Sequence, residues 1–459
     1  MTEKKSFDEI EKLIVTLMQQ TKIPGISISV LKEDKEIYSQ AFGARSLKEN
    51  EPVTLDTLFG IGSITKSFTT LAIMILAEQE KLDINDPISK YLPFDISIKD
   101  KPITILHLMS HSSGMPNLGV AEALLFRLTG LKETYVPVSS FEDIIRHIKN
   151  AKDELIDEPL KRYFYFNGGF LLLGLIIEKI TEIKYEDYIR EAILKPLKME
   201  RSLFTEEEFE NERDKITGYT IWEDKFTSTP YPIDPFIYSA GGLISSVKEM
   251  KNYIQLFLNN GKFDGKQLIK ADSIKQLFKG RIERQPSFFG KEEYASGWGV
   301  TEDFFGETLI HHGGSIGTSS AYLVMIPKLK IGIITMGNTG NHQGTIIAQA
   351  ILAALLGKNP LTDHPILRID TKLSKLAGEY QTYKGITKLS IIKRGLILYG
   401  KQPDKETVDF PIIPVNDDPE DFHFWVPTGA NQYPVEFLVD KEKGTIIYLH
   451  ERNAYHKVK

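Results

Sequence analysis

The stretch FTTLAIMILA, Phe68 to Ala77, constrains the fold of this 459-residue chain more than any other. It is apolar on nearly every side, so as a helix it has no face to offer water and belongs inside a core. It is also too short to span a bilayer. Just ahead of it, GIGSITKSF (60–68) places Ser63 and Lys66 three apart at the entrance to the run. Residues three apart on a helix share a face, so a hydroxyl and an amine meet at the edge of that core.

Composition bounds the rest. With 41% hydrophobic and 26% charged residues, the chain reads as a soluble globular protein of two or three domains. A formal net charge of −6 argues against a nucleic-acid partner, which needs clustered Lys and Arg. The absence of cysteine removes disulfides, thiolate nucleophiles and Cys-ligated metals. Residues 1–20 mix acids and lysines through their apolar positions, which predicts an amphipathic helix and not a secretory leader. A cytoplasmic protein without a membrane partner is therefore expected. Many Lys, Ile and Glu residues and no Cys point to a thermophilic source.

Along the chain, residues 25–45 alternate apolar and polar around a Lys-Glu-Asp-Lys turn, a β-hairpin pattern. From Phe59 to about Thr181 the pattern is mostly helical, broken by SSGMPN (112–117) and the pair Gly168-Gly169. Residues 205–240 read as irregular. Then 239–262 read as a strand, a serine cap and an amphipathic helix ending at Gly261. Strands return at 321–336, followed by an apolar helix at 345–357. Strands on both sides of a helical middle predict an α+β domain whose one sheet is built from both ends. KNPLTDHP (358–365), with two prolines, reads as a linker. Beyond it, short alternating strands with Gly turns predict a separate antiparallel barrel or sandwich. Its aromatics, Tyr380, Tyr383, Phe422, Phe424, Trp425 and Tyr433, fill a small core or line a pocket, the first being the commoner use of such residues.

A Ser-x-x-Lys spacing alone is weak, and it occurs four times: Ser29/Lys32, Ser63/Lys66, Ser245/Lys248 and Ser390/Lys393. The first and last fall on predicted strands, where residues three apart point to opposite faces. Ser245 reads as a helix N-cap beside exposed charges. Only Ser63 combines a helix start with an apolar surround. Even there, a capping serine and an outward-reaching lysine is the bland alternative. The physics favours chemistry if the helix is buried. A serine hydroxyl needs an adjacent base, and a lysine serves as one only when burial or a positive potential lowers its pKa. A helix N-terminus supplies roughly half a positive charge and aims backbone N–H groups at whatever sits there. Acyl transfer through a seryl ester is the candidate chemistry.

Two more stretches add to it: YFYFNGGFLLLG (163–174), with Tyr165-Phe166-Asn167 ahead of an apolar helix, and HHGGSIGTSSAYLVMI (311–326). With Ser63-Ile64-Thr65-Lys66, in this order, they resemble the signature of serine β-lactamases, penicillin-binding proteins and their esterase and peptidase relatives. The Tyr-x-Asn form is similar to the class C-like, CubicO-type branch, as are IPGISISVLK (23–32), KLDINDPISKYLP (81–93), ITILHLMSHSSGMP (103–116) and SAGGLISS (239–246). The resemblance covers about residues 10 to 355. It implies a β-lactamase/transpeptidase-like catalytic domain at 1–360, an antiparallel sheet flanked by helices plus a helical subdomain. With the β-domain at 366–459, the layout looks like archaeal CubicO-type proteases carrying a C-terminal lipocalin-like barrel.

The resemblance also implies roles. Ser63 would be the nucleophile, Lys66 its proton partner, and Tyr165 the group exchanging a proton with Ser63 Oγ and then the leaving group. A phenolate at Tyr165 would need a strong positive field, since tyrosine ionises near pH ~10; the sequence leaves open which of the two is the resting base. Asn167 would hydrogen-bond Lys66 or a substrate carbonyl. The backbone N–H groups of Ser63 and Ser315 would form the oxyanion hole, at a strand edge where Gly313 and Gly314 admit substrate backbone.

The third element departs from the common Lys-Thr-Gly pattern. With Gly317 five residues on, the frame His312-Gly313-Gly314 is chosen over one starting at His311. A lysine there would favour substrates with a carboxylate, whereas a histidine is mostly neutral near pH 7; this tells against β-lactamase activity. A metal at the adjacent histidines, or at His107 and His111 one helical turn apart, is the lesser reading. By resemblance His111 and the turn Ser112-Ser113-Gly114 buttress the active-site wall. No cofactor and no metal are expected. The leading expectation is a serine hydrolase acting through an acyl-enzyme on small peptides, including D-amino-acid ones, in a homo-oligomer. Alternatives are a carboxylesterase on short acyl esters, a β-lactamase, and a catalytically silent peptide- or penicillin-binding protein.

Overall fold

The computed structural model describes residues 3–98, 100–130, 138, 140–222, 225–340, 344–402 and 409–458. The chain divides into two compact units, residues 1–349 and 350–459.

In the first unit the N-terminal helix α1 (Glu3–Thr21) leads into a hairpin of β1 (Gly25–Lys32) and β2 (Lys35–Ser46), with β3 (Glu51–Pro52) at the rim. The hairpin turns on Glu33 and Asp34, both at positive φ. Six strands from the other end complete the sheet: β4 (Ile282–Ser287), β5 (Gly290–Tyr294), β6 (Gly299–Phe304), β7 (Glu307–Ser315), β8 (Ser320–Ile326) and β9 (Ile331–Gly337). The order is β4-β5-β6-β7-β8-β9-β1-β2-β3, so the two ends meet where β1 pairs antiparallel with β9, Ile28 opposite Thr335. β1 is buried on both faces because Ile26, Ile28 and Val30 alternate with Ser27, Ser29 and Leu31, small or apolar on either side.

The apolar run forms helix α2 (Thr65–Glu78), buried without interruption from Thr65 to Leu76. Its few polar side chains are satisfied internally, which is what permits burial all round. Ser67 Oγ donates to Ile64 O, Thr69 Oγ1 to Ser239 O and Thr70 Oγ1 to Ser296 O. Phe68 stacks on Tyr253 at 3.8 Å between ring centroids. α2 packs against α3 (Asn167–Thr181), the second apolar helix, whose residues Gly169–Gly174 are all buried.

Three expectations need correction. The segment 205–240 is not irregular. It holds a helix, Glu206–Asn211, started by a capping box at Thr205, and a hairpin pairing Gly218–Trp222 with Lys225–Thr229. Ser245 does not cap a helix: it sits in a two-residue strand and meets Ser202 Oγ at 2.8 Å, while Ser246 accepts from Glu249 N–H and caps α4 (Val247–Leu258). The prolines of 358–365 do not mark an open linker. The apolar helix α5 (Gly344–Leu355) is followed by α6 (Pro360–Asp363) and α7 (Pro365–Leu376). Each proline opens its helix, where its missing N–H costs nothing, and Asn359 and His364 supply the caps.

The second unit is a closed antiparallel barrel of eight strands: β10 (Gly378–Gln381), β11 (Lys388–Arg394), β12 (Ile397–Lys401), β13 (Phe410–Pro414), β14 (His423–Thr428), β15 (Asn431–Asp440), β16 (Thr445–His450) and β17 (Asn453–Lys457). β10 pairs with β17 to close it, Tyr380 opposite Lys457. Tyr380, Phe424, Phe437 and Tyr448 fill the interior, joined by Leu373 and Leu376 of α7. Of the six aromatics singled out above, Tyr380 and Phe424 are thus core, and Tyr383 stands 73% exposed.

Candidate active site

Ser63 sits in a single 3₁₀ turn, Gly62–Ile64, that runs straight into α2. Gly62 has φ +52, and a Cβ there would stand 2.4 Å from the backbone nitrogen of Ser315. Gly314 of β7 is bare for the reciprocal reason: a Cβ would meet Ile61 O at 1.9 Å and Ser63 N at 2.8 Å. The two glycines let the turn press against the strand, so the nitrogens of Ser63 and Ser315 are brought to one place. The bareness of Gly314 answers this contact between chain segments, not the approach of a substrate.

Lys66, in the first turn of α2, has no exposed surface. Its Nζ lies 3.1 Å from Ser63 Oγ and donates to Ala240 O at 2.6 Å. The amine also lies 5.0 Å from the ring centre of Tyr165 and 5.4 Å from that of Phe170. Burial lowers its pKa to about 7, opposed by the carboxylate of Glu122. Tyr165 lines the same cavity as Ser63, and burial raises its pKa far above the usual phenol range, the nearby serine hydroxyl opposing the shift only in part. The structure therefore joins all three residues that the sequence singled out, and leaves the phenol neutral. Desolvation disfavours the charged form of each group, so these surroundings favour a neutral amine at Lys66 over a phenolate at Tyr165.

The other five positions fall as follows. His312 is buried; its Nδ1 donates to Gly313 O at 2.6 Å and its Nε2 accepts from Tyr294 Oη at 2.9 Å. Burial, with the charge of Lys66, lowers its pKa to about 3, so it is neutral. Gly313 and Ser315 line a cavity of about 1160 Å³ together with Ser63, Tyr165, His312 and Gly314. Asn167 does not reach Lys66. Its Nδ2 donates to Glu122 Oε1 at 2.6 Å, the carboxylate oxygen that Asn117 also bonds. The reason is positional: Asn167 begins α3, beside the helix Val120–Thr129 that carries Glu122.

His311 points away from His312, as strand neighbours must, toward Thr301 Oγ1 at 3.2 Å and Glu292 at 3.4 Å. His107 caps its own helix, its Nδ1 accepting from Thr104 N–H. Neither pair of histidines converges on a common point.

Sequence reasoning missed several participants. The carbonyl of Ala240 lies in SAGGLISS, a stretch already singled out, but a carbonyl has no side-chain signal. Tyr294 and Arg284, on the cavity wall, come from strands with no motif. Glu122 is one acid among many, and nothing in the order of residues marks it.

A nine-stranded antiparallel sheet with a buried Ser-x-x-Lys helix and a tyrosine beside the serine defines the class of the penicillin-recognising serine enzymes and their relatives. Residues 10–356 match the Beta-lactamase family, and the chain belongs to it. Residues 360–456 match the Pab87 octamerisation domain. The structure is similar to that of the octameric penicillin-binding protein homologue from Pyrococcus abyssi, with a TM-score of 0.90 and 33% identity over 98% of this chain and 100% of that one. Protein flp of Staphylococcus aureus (strain MW2) is 28% identical over 347 residues, 73% of this chain but only 64% of flp. The unguisins hydrolase ungD' of Aspergillus campestris is 25% identical over 375 residues, 77% of this chain and 67% of the relative. Among the described residues no helix is long and apolar enough to cross a membrane.

Proposed function

We propose that this chain is a serine hydrolase acting through an acyl-enzyme on Ser63, with small peptides as its substrates. The observation that carries the reading is a wholly buried amine, with its pKa lowered to about 7, 3.1 Å from Ser63 Oγ. Neutral Lys66 takes the proton of Ser63 as Oγ bonds the substrate carbonyl carbon. The oxyanion that forms lies against the N–H groups of Ser63 and Ser315. The proton then reaches the leaving amine through the Tyr165 hydroxyl, the C–N bond breaks, and a seryl ester remains. Water attacks that ester by the reverse proton path and releases the acid. The name of the fungal relative, a hydrolase, is consistent with this class.

Peptides are favoured over β-lactams because the strand position that would hold a fixed cation carries neutral His312, both of whose nitrogens are already engaged. The test is Ser63→Ala. It should lose turnover of a chromogenic ester and all covalent labelling by a fluorophosphonate; labelling that persists removes the serine assignment. A competitive screen of L- and D-peptide amides, short acyl esters and nitrocefin sorts peptidase from esterase and β-lactamase. A homo-oligomer is the assembly that the octamerisation-domain match and the octameric homologue support. Light scattering should find a multimer of the full chain and a smaller species for a chain ending at residue 358.

A further inference from the structure

Tyr165 does its assigned work from an irregular segment that belongs to no helix or strand, so something else must fix its position. That segment, 156–166, is strapped onto the turn 111–114. Ile156 N–H donates to Gly114 O, Leu160 N–H to Ser112 O, and Phe164 N–H to His111 O at 3.0 Å. A fourth bond comes from a side chain: Phe166 N–H donates to Nδ1 of His111 at 3.1 Å. His111 thus holds the residues before and after Tyr165, one through its carbonyl and one through its ring. The two bonds fall one residue before and one residue after Tyr165, so the backbone is tied on either side of the tyrosine.

Three further features single out this histidine. It is 1% exposed. Its φ is +54, a conformation that costs most side chains and that His, Asn and Asp tolerate best. Because Nδ1 accepts, the ring proton lies on Nε2. That buried N–H has no hydrogen-bond partner among the described residues, and the imidazole packs 4.2 Å from the ring centre of Tyr165 and 4.8 Å from that of Tyr294. A buried polar atom left unsatisfied beside a reaction centre needs a reason to persist.

We infer that His111 is the positioning residue of the reaction: a neutral imidazole that clamps the backbone on both sides of Tyr165 and so sets the phenol against Ser63. The inference rests on the role given to Tyr165 above and adds what holds it. A merely structural histidine would affect folding without singling out the proton-transfer step.

The experiment compares His111→Leu, His111→Asn and His111→Gln, alone and in a Tyr165→Phe background, by steady-state turnover of a neutral p-nitrophenyl ester and by thermal unfolding. His111→Leu should lower kcat about 100-fold with little change in KM, the scale of a small misplacement of a reacting group. His111→Asn should restore most of that loss, since its Oδ1 falls where Nδ1 was and Asn accepts positive φ. His111→Gln, whose carbonyl lies too far out to meet Phe166 N–H, should not. In the Tyr165→Phe background, His111→Leu should cost nothing further, because the group it positions is gone. Equal losses from Asn and Gln, or an undiminished loss without the phenol, would overturn the inference; where His111→Leu fails to fold, the Asn–Gln pair decides. A Tyr165→Phe enzyme with normal turnover would instead overturn the role of Tyr165, and the inference with it.

Discussion

Among the described residues two lysines are buried, one in each unit, and their surroundings match almost group for group. Lys66 has no exposed surface and Lys372, on α7, has 5%. Each gives a hydrogen to a carbonyl, Ala240 O at 2.6 Å and Asp418 O at 2.8 Å. Each sits over two aromatic rings, Tyr165 and Phe170 for the first, Phe422 and Phe424 for the second. Burial lowers the pKa of both. What differs is the charge nearby. Three carboxylates, Asp421, Asp418 and Asp417, oppose the loss of a proton from Lys372, and only Glu122 does so at Lys66. The second difference is a hydroxyl: Lys66 Nζ also bonds Ser63 Oγ, and among the described residues no hydroxyl bonds Lys372 Nζ. Burial and aromatic walls are common to both lysines; fewer acids and a neighbouring hydroxyl set Lys66 apart, which is what its proposed part as a base requires.

Removing each amine should break the parallel most visibly. Lys66→Met should lower the acylation rate about a thousandfold, measured by stopped-flow with a p-nitrophenyl ester, because the hydroxyl loses its base. Lys372→Met should leave that rate unchanged and cost about 1 kcal/mol of thermal stability for the unpaired Asp418 carbonyl. Equal effects from the two would mean that the comparison is wrong. Next in size, Tyr165→Phe should slow acylation about 100-fold while the unfolding temperature barely moves, since the phenol donates in the reaction and packs the same without its oxygen. A normal rate would remove its part.

The smallest effect is the sharpest. Glu122 favours the ammonium form of Lys66. Glu122→Gln should therefore move the midpoint of the acylation pH profile downward, with a gain of a few-fold at pH ~6, on the scale of the field of one nearby charge. An upward shift would show that the carboxylate acts on Tyr165 or through Asn167 instead.

Much of this was legible in the order of residues. The run Phe68–Ala77 announced a central helix, and period-two stretches announced the two-ended sheet and the barrel. The gathering of Ser63, Lys66 and Tyr165 in one place was legible as well, because each lies in a spaced motif next to an apolar run. What was not legible depends on partners far apart in the chain. The amide of Asn167 is drawn off by Glu122, which is 45 residues away. Gly314 is bare because of Ile61, across a contact that no local pattern encodes. The prolines at 360 and 365 misled because proline opens a helix as readily as it ends one.

The account turns on Lys66 being neutral at working pH. Its most direct test is the single-turnover acylation rate of Ser63 followed from pH 5 to pH 10. A rate rising with pH through one ionisation near pH 7, absent from Lys66→Met, is predicted, because only the unprotonated amine can accept the serine proton. A rise centred near pH 10, or the same profile in Lys66→Met, would contradict it.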